Sequence, residues 1–164
     1  MWIILNILLE KKRICILQDS VQQRVMYTEL KERIKEHEGY CEQTYEDTLG
    51  YETGGYGHKI IPGEDIPTDR SGWEALFESD FQRAVDGAEN ILSGYDIAEA
   101  AREVIIEMVF QMGEAGVSKF KNALSHLYNQ RYIECAGEML NSRWREQTPM
   151  RAKKLADIMA GINA

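Results

Sequence analysis

Between Asp96 and Gly113 the chain reads DIAEAAREVIIEMVFQMG, with Ile97, Ala101, Val104, Ile105, Met108, Val109 and Met112 recurring at helical spacing. Its centre, VIIEMVFQM, is apolar nearly all the way round. Such a helix has no face for water, so other helices must surround it. The chain is therefore expected to build a helical bundle about this segment.

The flanking segments supply the neighbours. KFKNALSHLYNQ and YIECAGEMLN carry shorter helical patterns, and Thr148-Pro149 sets an N-cap followed by proline at the first helical position of a last helix. Upstream, WEALFESDFQRAVDGAENIL places Trp73, Leu76, Phe77 and Ala84 on one side of a helix that Thr68 is expected to cap. Residues 44–60, TYEDTLGYETGGYGHKI, differ in kind: Tyr, Thr and Gly dominate, Leu49-Gly50 suits a turn, and two short strands are expected. Residues 61–70 read as loop. Before the strands, YTELKERIKEH sets Leu30 and Ile34 on one face, with Thr28 as N-cap and Gly39 just past the helix end. The expected class is α+β and mostly helical. A small mixed lobe at about 38–72 is joined by a helix at about 72–92 to an all-helical lobe at about 95–164.

Charge and cysteine usage bear on partners. The formal net charge is −8, and it is concentrated: residues 1–96 hold 10 basic and 19 acidic side chains, residues 97–164 hold 9 and 8. Phosphate backbones are held by a surplus of Lys and Arg, so nucleic acid is not an expected partner. Cys15, Cys41 and Cys135 form no CxxC pair, which argues against a zinc ribbon or disulfide framework and fits a reducing compartment. Met1 to Leu9 is apolar apart from Asn6, far short of the roughly 20 residues that span a bilayer. Lys11-Lys12-Arg13 follows that run, whereas a secretory signal has its charges first. Residues 1–25 are expected to be an extension, dispensable for catalysis, that docks on the protein's own surface or on a second copy. The body, 26–164, is expected to be a monomer, with a weak dimer through the extension as the alternative.

Several motifs carry little chemistry. Gly54-Gly55-Tyr56-Gly57 lacks the Lys-Ser/Thr and the βαβ setting of a phosphate cradle. His37, Cys41 and His58 do not share a helix face, so no metal site is expected. His126 and Cys135 lack the context of a nucleophile and its base. Glu38, Asp47 and Thr53 are a stronger set. A carboxylate at a helix end, another beside a strand and a hydroxyl across the hairpin can line one cleft. Glycoside hydrolysis needs one carboxyl to protonate the leaving oxygen and another to direct water or attack. Spacing alone does not single them out among 27 acidic residues.

The stretch HEGYCEQTYEDTLGYETGGYGHKI resembles the catalytic segment of phage T4-type lysozymes, glycoside hydrolase family 24. That family's signature is a Glu, eight residues, an Asp, five more and a Thr, followed by a GxGH element; Glu38, Asp47, Thr53 and Gly55-Tyr56-Gly57-His58 stand at those places. VFQMGEAGVSKFKNALSHL at 109–127 and SRWREQTPMRAKK at 142–154 are similar to the helical lobe of the same family. The resemblance runs in order over about 27–160.

It implies a two-lobed, T4-lysozyme-like fold and a muramidase that cuts the β-1,4 bond between N-acetylmuramic acid and N-acetylglucosamine of peptidoglycan, with no cofactor. Glu38 would be the general acid, while Asp47 would stay ionised and hold the attacking water with Thr53. Arg151, in the family's RAK segment, would approach Glu38, and His58 would brace the small lobe. Phe110 falls where the family contacts sugar, with core packing as the competing reading. Lys59, Ala123 and Glu138 fall on further sugar-contact positions without keeping the family's residues. The implied setting is an endolysin, held in the host cytoplasm before lysis and then acting on the wall. This chain is shorter than the family's phage T4 member between His58 and the connecting helix, ends its last helix earlier and is acidic where that member is basic. Two rival functions stand beside hydrolysis. A lytic transglycosylase would not need Asp47 and Thr53, and a wall-binding module with little or no turnover would not need Glu38 and Asp47 together.

Overall fold

The computed structural model describes residues 27–47 and 50–162. The expectations for residues 1–25 lie outside them, as does Leu49 of the expected turn. The elements are α1 (Thr28–Glu38), β1 (Cys41–Glu46), β2 (Glu52–Gly55), β3 (His58–Lys59), α2 (Arg70–Leu92), α3 (Glu99–Met112), α4 (Glu114–Val117), α5 (Lys121–Tyr128), α6 (Tyr132–Leu140), α7 (Arg143–Gln147) and α8 (Pro149–Ala160). The fold is α+β and mostly helical, as expected. No helix among the described residues is long and apolar enough to cross a membrane.

The chain divides between Arg33 and Ile34 into two units. In the first, the Tyr27 carbonyl accepts from the Lys31 N–H at 2.9 Å, and Thr28 is already helical. Tyr27, not Thr28, therefore precedes the helix.

The second unit holds the sheet and the bundle. Strand order is β1-β2-β3, antiparallel throughout, with Tyr45 opposite Thr53 and Thr53 opposite Lys59. The expectation of two strands falls one short, because Tyr56-Gly57 closes a second hairpin. Gly55 (φ +59°) and Gly57 (φ +81°) supply the left-handed backbone this needs.

Helix α2 ties the sheet to the bundle. Its cap is Asp69, whose carboxylate accepts from the Gly72 N–H at 2.9 Å, so the expected Thr68 cap lies one residue early. Trp73 lies flat on β2 and donates from Nε1 to the Glu42 carbonyl of β1 at 3.1 Å. A Cβ at Gly54 would sit 2.4 Å from the indole, and one at Gly55 2.6 Å from it. The glycine-rich stretch is there to admit Trp73, not a phosphate. Farther along, Gly87 brings α2 onto α3, with space for a Cβ only 3.1 Å from Val109.

Helix α3 takes the central place its sequence demands, touching α2, α4 and α8. Ala101, Val104, Ile105, Met108 and Val109 are buried, with Ile106 completing the circumference. Helices α5 and α8 pack against α6 and close the bundle. Thr148 precedes α8 with Pro149 at its first turn, yet the Thr148 hydroxyl donates back to the Trp144 carbonyl at 3.2 Å instead of capping α8.

Candidate active site

Helix α1 ends at Glu38 because Gly39 turns the chain away at φ +73°, its N–H closing on the Lys35 carbonyl at 2.9 Å. The last turn is held by charge. Lys35 donates to Glu74 of α2 at 2.6 Å, and the Tyr56 hydroxyl donates to the other Glu74 oxygen at 2.6 Å. The Lys35 and Tyr56 bonds hold the Glu74 carboxyl below its usual range, while burial and the Glu74 contact push the Tyr56 phenol up. This network fixes the β2–β3 turn beside the end of α1. A Cβ on Gly57 would come 3.4 Å from Glu38 Oε2. Only glycine leaves that side of the carboxyl open.

The other Glu38 oxygen accepts from Arg151 Nη1 of α8 at 2.7 Å. Glu38 and Arg151 line a cavity of about 630 Å³ with His37, Gln111, Met150 and Lys154. The structure thus brings together two residues that the sequence keeps 113 positions apart.

Asp47 follows β1 and is built into the hairpin. Its Oδ1 accepts from the Tyr51 N–H at 2.9 Å, and its own N–H donates to the Tyr51 carbonyl at 2.8 Å. Its Oδ2 lies 3.6 Å from Lys59 Nζ. Thr53 is buried, and its hydroxyl donates to the Tyr51 carbonyl at 3.2 Å. With that proton committed, the Thr53 oxygen offers lone pairs, which is what a bound water's O–H requires.

Phe110 is half-buried on α3. Its ring lies 5.6 Å from that of Phe77, and it lines a second cavity, of about 370 Å³, with Gly57, His58 and Lys59. It serves packing and cavity lining at once. Its neighbour Gln111, not Phe110, lines the Glu38 cavity. His58 is buried under the sheet between Asp80 on Nδ1 at 2.8 Å and Glu64 on Nε2 at 3.1 Å. Burial alone pulls its pKa down, but the two carboxylates outweigh that and raise it.

The remaining candidates are structural. Cys135 is buried, and burial pushes its thiol up to about 12, which leaves no thiolate for attack. His37 is bonded to Glu107, and Cys41 is exposed on β1. Among the described residues no cluster of His, Cys, Asp and Glu has the arrangement of a metal site.

Three features escaped sequence reasoning. Lys59 beside Asp47 and Glu74 beneath Tyr56 carry no local signal. Glu107 does carry one: it is the single charge in VIIEMVFQM.

Comparison with known proteins places the sequence in a family. The family model described as phage lysozyme matches residues 35–159. A protein named probable T4-type lysozyme 2, from Dictyostelium discoideum, is 32% identical over 162 residues, covering 81% of this chain and 94% of that protein. A second from the same organism, probable T4-type lysozyme 1, is 32% identical over 161 residues, covering 82% and 95%. The peptidoglycan hydrolase gp36 of Pseudomonas phage phiKMV is 26% identical over 137 residues, 79% of this chain and 15% of that protein.

Proposed function

Since the chain belongs to the phage lysozyme family, a family of peptidoglycan-degrading glycoside hydrolases, we propose that it cuts the β-1,4 bond between N-acetylmuramic acid and N-acetylglucosamine by direct attack of water. Glu38 protonates the leaving oxygen as its bond to C1 breaks. Asp47 takes a proton from the water whose oxygen bonds to C1, and Thr53 accepts the water's other O–H. Arg151 holds the Glu38 carboxyl toward the cavity. Phe110 offers an apolar face to the sugar beside Lys59. The biological setting we propose is lysis of a bacterial host, with the enzyme released from the cytoplasm onto the wall.

The supporting observation is the division of labour between the two carboxyls. Glu38 stands at a helix end against one cation, while Asp47 is locked into a hairpin that also fixes the Thr53 hydroxyl. A wall-binding module has no use for that arrangement.

Turbidity clearing of permeabilised Gram-negative cells is the test. Wild-type protein clears them, and Glu38→Gln, folded by circular dichroism, loses roughly 10²–10⁴-fold in rate, the worth of general acid catalysis. A variant keeping more than about a tenth of the rate would overturn the assignment.

A further inference from the structure

Among the described residues Glu107 is the only carboxylate that is fully buried, with 2% of its surface exposed, in the middle of the central helix α3. A carboxylate in such a place needs hydrogen-bond donors to offset its lost hydration. One partner is His37, whose Nδ1 lies 2.6 Å from Glu107 Oε1. The other ring nitrogen, Nε2, lies 3.3 Å from Lys154 Nζ of α8. His37 directly precedes Glu38, and both line the 630 Å³ cavity together with Lys154 and Arg151.

The two neighbours of the ring make opposite demands. A carboxylate only accepts, so Nδ1 must carry a proton. An ammonium only donates, so Nε2 must be bare. One neutral tautomer meets both demands. The other neutral tautomer sets a bare Nδ1 against the Glu107 carboxylate, and the imidazolium sets Nε2–H against the Lys154 ammonium. The chain of donors runs Lys154 to His37 to Glu107.

The mechanical consequence falls on Glu38. Arg151 and Lys154 lie three residues apart, on one face of α8. They grip two successive residues at the end of α1: Arg151 holds Glu38, and Lys154 holds His37. Glu107 holds His37 from α3. Beyond Glu38 the chain leaves at Gly39, whose N–H closes the backbone on the Lys35 carbonyl; that backbone bond does not fix the directions of the last two side chains, His37 and Glu38, which their tertiary contacts must set. We propose that His37, Glu107 and Lys154 form a proton-ordered clasp that sets the direction of the Glu38 carboxyl, which makes them positioning residues for the general acid. This rests on the reading of Glu38 given above. The charged groups that face His37 are Glu107 from α3, Lys154 and Arg151 from α8, and Glu38 beside it in the chain.

The test uses the full chain and soluble peptidoglycan fragments. ¹⁵N spectra of the His37 ring, assigned against His37→Phe, are expected to show a protonated Nδ1 and a bare Nε2 at neutral pH. In His37→Phe and Glu107→Leu, kcat falls roughly ten- to a hundredfold, the effect of misplacing a reacting group by about 1 Å, while KM stays within about twofold. Glu107→Gln, whose amide oxygen still accepts from Nδ1–H, restores most of kcat. Lys154→Met leaves the buried pair intact and folded by circular dichroism; it lowers kcat by a smaller factor and perturbs the Nε2 signal.

A bare Nδ1, or a kcat within about twofold of wild type in both His37→Phe and Lys154→Met, overturns the clasp. Glu38→Gln separates the two readings. If it is inactive while the clasp variants are normal, the clasp alone is wrong. If it remains active, the general-acid assignment fails, and the positioning proposal fails with it whatever the ring spectrum shows.

Discussion

Asp47 and Tyr51 hold each other by two hydrogen bonds: the Tyr51 N–H donates to Asp47 Oδ1 at 2.9 Å, and the Asp47 N–H donates to the Tyr51 carbonyl at 2.8 Å. The same carbonyl takes the Thr53 hydroxyl at 3.2 Å. One peptide group thus orients both residues assigned to the water. Asp47 spends one oxygen on this and keeps Oδ2 toward Lys59. An amide at position 47 would keep the Tyr51 bond and lose only the charge. Asp47→Asn is therefore expected to melt within a few degrees of wild type and to lose roughly 10²–10⁴-fold in lysis rate. Parallel thermal melts and turbidity assays check both halves. An active Asp47→Asn would remove Asp47 from the chemistry.

Attack by a held water predicts the stereochemistry. The first-formed reducing sugar is expected in the α configuration, with the Glu38 and Asp47 carboxyls separated by about 6.5–9.5 Å. Proton NMR of fresh digests reads the anomer before it equilibrates. Thr53→Val, which keeps the shape and deletes the lone pairs, slows turnover while leaving substrate affinity near wild type. A β product would mean that Asp47 attacks directly and that Thr53 holds no water.

Two glycines give opposite expectations. Gly54→Ala drives a methyl to 2.4 Å from the Trp73 ring, and both residues are buried, so something must shift to admit it. Overpacking of this kind costs about 1–3 kcal/mol, or several degrees of Tm in a chain of this size. Gly137 lies exposed within α6, with nothing within 4 Å of a Cβ. Gly137→Ala is expected to gain about 0.5–1 kcal/mol. Differential scanning calorimetry of the two variants must show shifts of opposite sign.

What the sequence reveals follows from where the information is local. The helices of the bundle are legible because burial imprints a period on each segment, and α3 declares its central place by having no polar face. The third strand is not legible. Its two residues, His58 and Lys59, show no alternation, and the turn before them rests on Gly55 and Gly57 at positive φ. Thr68 and Asp69 are adjacent residues of cap-forming type, and only the extended backbone of Asp69 decides between them. At the site, Glu38 is one carboxylate among 27 acidic residues until the spacing to Asp47 and Thr53 is matched to a family. The contacts of Arg151 with Glu38, Lys59 with Asp47 and Lys154 with His37 are tertiary and leave no trace in composition. Glu107 is the exception. A lone charge in an apolar helix announces that a partner must exist, though not that it is His37.

The His58 brace makes stability depend on pH in a stated direction. His58 sits between Asp80 and Glu64, and although burial opposes the charged ring, these carboxylates raise its pKa above the ordinary value of about 6.5. A raised histidine contributes fully below its unfolded pKa and loses that contribution as pH climbs through the folded one. Glu64 behaves in the opposite sense. The Ile61 N–H at 3.0 Å and the His58 ring lower its pKa, so its contribution is present above about 4.3 and disappears as pH falls through the folded value. Both contributions are in place only between those limits, from about pH 4.3 to about 6.5. Wild-type Tm is therefore expected to lose ground relative to His58→Gln as pH rises from 6 to 8.5, and relative to Glu64→Gln as pH falls below 4.3. Melting curves of the three proteins over that range provide the measurement. A His58→Gln difference that grows toward alkaline pH would mean that the buried ring is neutral and that the carboxylates serve only as hydrogen-bond acceptors.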